Sequence, residues 1–294
     1  MLCAELRARG FEVRALARDP AKAIDLSRAG MCVVAGDLDN PRALRQLTSD
    51  CAAVVHAAGA VRGSSRADFD RVNVAGTAAL LAALERQPEP ARLLLLSSLA
   101  AREPPLSWYA HSKCAAEQLL QRAPARLDWL ILRPPAVYGP GDREMLPLLA
   151  LMSRGIALVP GSATARLSLV HVSDLATAVI ACLQSPFTRH RTLTVCDGKA
   201  QGYDWHELAA VAAATWSRPV RLWRLPAWLL DAAARINLRL ANTTGKPPML
   251  TPPKLRELRH ADWTVDNQDI TALTGWTPSV SLPQGLLEIR KPAL

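Results

Sequence analysis

Tyr109 and Lys113 stand four residues apart in a segment that reads as helix through Glu117-Gln118-Leu119-Leu120. Four residues is about one helical turn, so both side chains leave the same face. A free phenol, with a pKa of about 10, is a poor acid–base catalyst at neutral pH. An ammonium held nearby favours the phenolate and lowers that value, and the phenol could then donate a proton to a carbonyl or accept one from an alcohol. Ser98 follows the apolar run Leu93-Leu94-Leu95-Leu96 and emerges with Ser97 at the carboxyl end of a strand. Open α/β sheets place their ligands at that edge. The Ser98 hydroxyl could hydrogen-bond the carbonyl oxygen and stabilise the negative charge developing there. Spacing alone is a weak signal, so the elements that must position these three residues matter.

Residues 1 to about 10 read as an amphipathic helix stopped by Gly10, and Phe11–Ala17 alternates as a strand does. Strands are also expected at Met31–Ala35, leading into Gly36-Asp37-Leu38, and at Ala52–His56, Leu93–Leu96 and Trp129–Leu132, the last ending at Arg133-Pro134-Pro135. Uninterrupted apolar runs suit strands buried on both faces, the habit of parallel sheets covered by helices. Strand and helix alternate through the first half, which predicts an α/β, Rossmann-type doubly wound parallel sheet. Residues 1–135 are expected to form that domain. Residues 136–294, richer in proline, should form a smaller substrate lobe, with 166–187 returning to the sheet and Leu169–Val172 as a strand.

The chain has 294 residues, half of them apolar, and a formal charge of +9. Its basic residues are scattered, with no run interleaved with aromatics, so nucleic acid is not an expected partner. The six cysteines form no CxxC pair. They read as reduced, mostly buried thiols of a cytoplasmic protein. The histidines form no ligand set such as HExxH, so no metal is expected. No run of about 18 uncharged apolar residues is present to span a bilayer, and no signal peptide is recognised.

Several ordered motifs surround the Ser–Tyr–Lys set. Gly36-Asp37-Leu38, His56-Ala57-Ala58-Gly59, Val72-Asn73-Val74-Ala75-Gly76-Thr77 and Arg133-Pro134-Pro135-Ala136-Val137-Tyr138-Gly139-Pro140-Gly141 are followed by Val170–Ala176 and Gly275-Trp276-Thr277-Pro278. In this order they resemble the extended short-chain dehydrogenase/reductases, the group of the NAD-dependent epimerases and dehydratases. The resemblance implies Ser98, Tyr109 and Lys113 as the catalytic residues. It further implies cofactor contacts at Asp37 and Leu38 near the adenine, at Ala57, Ala58 and Gly59 along the adenosine side, at Asn73 and Lys113, and at Pro134 and Val137 by the nicotinamide. His56 reads as a packed strand residue, and Asp174 as either a helix cap or a chemical group.

The strand from Phe11 runs into Ala17-Arg18-Asp19, where NAD binders of this fold usually carry a carboxylate for the ribose hydroxyls and NADP binders an arginine. Arg18 favours NADP, and Asp19 keeps NAD open. The family opens with a strand and a Gly-rich turn that have no counterpart in the residues given, roughly fifteen to twenty positions in a usual βαβ opening. The expected sheet therefore lacks its first strand, and weak cofactor binding is expected.

Two substrate branches remain. Arg166 lies near, but one residue from, the arginine that contacts the phosphates in nucleotide-sugar epimerases. The segment from Pro247-Pro248-Met249-Leu250-Thr251-Pro252 to Leu258, with Asp262–Asp266, is similar to the 3β-hydroxysteroid dehydrogenase side, which implies reduction of an apolar, steroid-like or β-keto-acyl-like ketone. Leu225, Trp228, Leu229, Ala232, Ala233, Ile236 and Leu240 fall on one helix face, with Arg224, Arg235 and Arg239 elsewhere. That face could pack on the sheet domain, cover a hydrophobic substrate or lie on a membrane surface. A homodimer is compatible with the sequence, as is a non-catalytic nucleotide-binding scaffold.

Overall fold

The computed structural model describes residues 1–244, 247–248 and 250–289. Twelve strands are found among them: β1 (Arg14–Ala17), β2 (Cys32–Ala35), β3 (Ala53–His56), β4 (Arg92–Leu96), β5 (Trp129–Arg133), β6 (Ala136–Tyr138), β7 (Ile156–Val159), β8 (Arg166–Leu167), β9 (Leu169–His171), β10 (Arg191–Thr194), β11 (Arg221–Arg224) and β12 (Asp262–Trp263). Every pairing between them is parallel. The main sheet runs β10–β5–β4–β3, and β1 pairs with β2 as a separate two-stranded unit. No hydrogen-bonded pairing joins β1 to β3.

The leucine run explains why β4 lies at the centre of its sheet. Leu93 and Leu95 pack with Leu80, Leu84, Leu120 and Ile131 on one face. Leu94 packs with Leu130, Leu132, Val179 and Leu193 on the other. Helices Gly76–Glu85 and Trp108–Gln121 cover the first face, and helix Val172–Gln184 covers the second. A strand buried on both sides needs no polar alternation, and β4 has none.

Several expectations need correcting. The first strand starts at Arg14, because residues 11–13 finish the exit from helix Leu2–Ala8: Gly10 has φ +85° and Phe11 N–H donates to the Leu6 carbonyl. Leu169–His171 does not join the main sheet. It pairs with β6, and Val172 already belongs to the following helix. The strand that extends the sheet is β10, beyond the expected 166–187 return. The cysteines are not mostly buried: Cys182 and Cys196 are, whereas Cys3, Cys51 and Cys114 are half-buried and Cys32, on the outer strand β2, is exposed.

The amphipathic helix spans Ala227–Thr244. Ala234 and Ala241 face inward, while Trp228, Leu229, Ile236 and Leu240 are exposed. Its apolar stripe therefore does not pack on the sheet domain. Met249, within the motif that follows, lies outside the described residues.

Gly36 ends β2 with φ +150°, and a Cβ there would lie 2.4 Å from the Cβ of Ala43, buried in helix Pro41–Thr48. Neither atom sits on a flexible arm. Gly36→Ala should therefore push that helix away from β2, lowering the urea unfolding free energy by about 1–3 kcal/mol. An unchanged midpoint would show that the helix is free to move.

Candidate functional site

The helix carrying Tyr109 and Lys113 starts where Ser107 caps it, its hydroxyl accepting the Ala110 N–H at 2.9 Å. Capping of this kind fixes the entry angle and so the direction of the next two turns. Ser98 sits at the end of β4, where its hydroxyl caps the short turn Leu99–Arg102. The Pro134 carbonyl accepts Leu99 N–H at 2.8 Å, and the Leu132 carbonyl accepts Ser97 N–H at 2.9 Å. Buried Pro134 thus anchors the serine loop through its backbone.

Ser98 and Tyr109 are brought together, the serine hydroxyl near enough to the phenol to favour its ionised form. Burial nevertheless pushes Tyr109 up to about 12, with smaller contributions from the charges of Glu257 and Glu144, and the Ser98 hydroxyl offsets only part of this. The ammonium expected to lower the phenol is directed elsewhere. Lys113 Nζ donates to the Leu96 carbonyl at 2.7 Å and is itself pulled down to about 8 by desolvation, against the favourable charge of Glu117. Desolvation outweighs charge pairing at Lys113 because the ammonium is buried and spent on the Leu96 carbonyl. At neutral pH the pair is a protonated phenol beside an ammonium, a proton donor rather than a base.

Asn73 joins this helix to the loop after β3. Its Oδ1 accepts Ala60 N–H at 2.7 Å, and its Nδ2 donates to the Ala60 carbonyl and to Ser112 Oγ at 3.0 and 2.8 Å. Asn73 lies in a π-helical stretch, Asp70–Ala75, whose extra residue per turn re-aims the side chain. Ala57, Ala58 and Gly59 form an exposed shelf of small residues beside it. A Cβ at Gly59 would stand 3.1 Å from Asn73 Oδ1 and 3.5 Å from Lys113 Nζ. His56 is a packed residue, buried, bonded to Thr77 at 3.0 Å and lowered to about 4 by desolvation.

Arg18 is exposed, whereas Asp19 caps its own turn through Ala21 N–H and pairs with Lys22. Asp37 accepts Asp39 N–H, and the Leu38 side chain is packed against Gly76. Val137 is half-buried in β6. Arg166 is consumed by the fold, donating to the Gln201 and Gly202 carbonyls and to Glu207. Asp174 does not cap its helix, which begins at Val172 with His171 as cap. Its carboxylate accepts from the Ser279 N–H and hydroxyl and the Val280 N–H, tying down the C-terminal segment.

Two groups of residues escaped the sequence reading. Glu117 is buried under Lys113, accepting from Ser97 Oγ at 2.5 Å and from Arg133 Nε and Nη2 at 2.9 and 2.5 Å. Its place one turn beyond Lys113 was a signal that could have found it. On the open side of Tyr109, the Lys254 ammonium lies 5.5 Å from the ring centroid, and the Phe69 ring meets it edge-on. Lys254 pairs with Glu257, which also accepts from Ser107 Oγ at 2.6 Å. These residues, with Val61, Pro248 and Pro253, wall a cleft over the phenol. No sequence spacing connects residues 61, 109 and 254.

The buried Lys113 ammonium has one hydrogen-bond acceptor among the described residues, although it carries three donors. Together with the adjoining shelf of small residues, it suits a hydroxyl-bearing cofactor. The model of the NAD dependent epimerase/dehydratase family matches residues 1–196. A ceramide reductase of Caulobacter vibrioides is 40% identical over 233 residues, 79% of this chain and 71% of that protein. A 2-alkyl-3-oxoalkanoate reductase of Shewanella oneidensis is 24% identical, over 98% of this chain and 82% of that protein. The solved UDP-glucuronic acid 4-epimerase of Bacillus cereus, in complex with UDP-glucuronic acid and NAD, shares the fold with a TM-score of 0.72 at 18% identity, over 99% of this chain and 94% of that one. The chain thus belongs to the NAD dependent epimerase/dehydratase family of extended short-chain dehydrogenases and is a nicotinamide-dependent oxidoreductase.

Proposed function

We propose that this enzyme reduces a ketone on an apolar, long-chain substrate, using NADPH. The observation that carries this reading is the protonated Tyr109 phenol, near Ser98 and facing a cleft walled by Val61, Phe69, Pro248 and Pro253. A phenol raised to about 12 retains its proton at neutral pH and is suited to donate it as a carbonyl becomes an alkoxide. The 40% identity to a ceramide reductase supports a substrate with a long-chain amide or similar lipid body.

When bound, the nicotinamide supplies the hydride. The side chains supply the rest. Ser98 would hydrogen-bond the carbonyl oxygen, Tyr109 would give it a proton, and the Lys113 ammonium would hold a ribose hydroxyl with its remaining donors. Asn73 keeps the Ala57–Gly59 shelf in register with the helix of Tyr109 and Lys113. Asp37, the Leu38 backbone, Pro134 and Val137 complete the cofactor wall. Exposed Arg18 supports NADP, because the alternative ribose ligand, Asp19, is turned back on its own loop.

The engagement of Arg166 in the fold argues against a nucleotide-sugar substrate, since a phosphate would have to compete with two carbonyls and Glu207. The test is oxidation of NADPH, followed by absorbance, with a long-chain 3-oxo amide, a β-keto ester and UDP-sugars. The 3-oxo amide should give the highest kcat/KM, and NADH should be at least tenfold poorer. Interconversion of UDP-sugars without net NADPH consumption would overturn the reading. Tight NADPH binding without turnover of any of these would favour a scaffold.

A further inference from the structure

Helix Ala227–Thr244 presents an apolar stripe to solvent, and nothing among the described residues covers it. Leu229, Ala233, Ile236 and Leu240 recur at intervals of four, three and four, so they line one side of the helix. Leu229, Ile236 and Leu240 are 44%, 55% and 55% exposed, and Trp228 is 70% exposed. The inward side carries Ala234 and Ala241 and the Asp231 carboxylate, which binds Arg259 Nη1 at 2.8 Å. Arg259 also donates to the Ala227 carbonyl. The helix is therefore held to the fold by its opposite face, and its outward stripe is surplus to folding.

Charge identifies the occupant. Between residues 217 and 244 the chain carries Arg218, Arg221, Arg224, Arg235 and Arg239 against one carboxylate, Asp231, which is already paired. Arg235 and Arg239 flank the stripe on the side of Trp228. Packing two copies through this face would bring guanidinium against guanidinium with no acid to separate them. An apolar stripe with an interfacial tryptophan and arginines along its border suits an anionic lipid surface, where the guanidiniums reach the headgroups. No helix among the described residues is long and apolar enough to cross a membrane.

We infer that helix Ala227–Thr244 seats the enzyme in the surface of an anionic bilayer, lying in its plane. The segment that follows supplies Pro248, Thr251, Pro253 and Lys254 to the cleft over Tyr109. That the substrate enters from the bilayer rests on the reductase reading above. The seat itself does not.

The test is co-flotation of the whole protein with vesicles of phosphatidylglycerol and phosphatidylcholine, compared with phosphatidylcholine alone. The protein should float with the anionic vesicles and much less with the neutral ones, and added salt should release it. Ile236→Glu should reduce the bound fraction at least tenfold. Arg235→Ala combined with Arg239→Ala should weaken partitioning roughly 30-fold. Since these side chains are exposed, thermal melts of the variants should match the parent, and a matched melt separates lost binding from misfolding. Equal flotation of Ile236→Glu, or no binding to anionic vesicles, would overturn the inference. So would a dimer in light scattering that Ile236→Glu dissolves, since that assigns the stripe to a second copy. None of these readouts uses turnover, so a failed reductase assay leaves the result intact.

Discussion

Replacing Tyr109 with Phe should lower kcat/KM for ketone reduction by about 10²- to 10⁴-fold, the usual contribution of a positioned general acid. NADPH affinity should stay within about threefold. The exchange removes one oxygen and keeps the ring, so the edge contact with Phe69 and the approach of Lys254 survive. The Ser98 hydroxyl still caps the Leu99–Arg102 turn through Ala100 N–H, so the loop should hold its shape. Steady-state kinetics with fluorescence titration of NADPH would separate the effects. Near-normal turnover would remove Tyr109 from the reaction, whatever its burial.

The parts of the fold legible from sequence were those dictated by local pattern. β4 and β5 follow from unbroken leucine and isoleucine runs, and the Tyr109–Lys113 helix follows from its spacing. The order of motifs carried the family, and several of them, such as Gly36-Asp37-Leu38 and Ala57-Ala58-Gly59, sit where a strand ends. What escaped was set by contacts between distant segments. Asp174 looked like a cap because it stands near a helix start, yet its partners are Ser279 and Val280, more than a hundred residues away. β9 looked like another strand of the main sheet, but three residues cannot specify a neighbour, and it pairs with β6. The Lys113 ammonium is claimed by the Leu96 carbonyl. No residue pattern encodes that choice. Lys254 above Tyr109 is a further case, since its approach depends on a contact between segments far apart in the chain.

Glu117→Ala should be among the most destabilising single changes in this protein, lowering the unfolding free energy by about 3 kcal/mol. The carboxylate side chain is 2% exposed and satisfies three donors, Ser97 Oγ and two nitrogens of Arg133. Removing one member of a buried pair strands the other, at a typical cost of about 3–5 kcal/mol, and the lower end applies because the Arg133 side chain retains 24% exposure. Urea denaturation of Glu117→Ala and of Glu117→Leu combined with Arg133→Met would check this. The double variant should recover most of the loss, because it leaves no unpaired charge behind. The milder Glu117→Gln tests the link to chemistry. Glu117 raises the proton affinity of Lys113, which desolvation has pulled down to about 8. In the parent, Lys113 is charged below about pH 8, so kcat/KM should fall as pH rises through that value. Without the Glu117 charge, the falling limb should move to lower pH. Stability moves the other way. Lys113 has a folded value of about 8 against 10.5 in the unfolded chain, so between these the unfolded state binds more protons. The contribution of this group to stability therefore rises with pH across that window. Activity that falls while the urea midpoint holds or rises would identify loss of the Lys113 proton as the cause, and a midpoint falling in step with activity would identify alkaline unfolding instead.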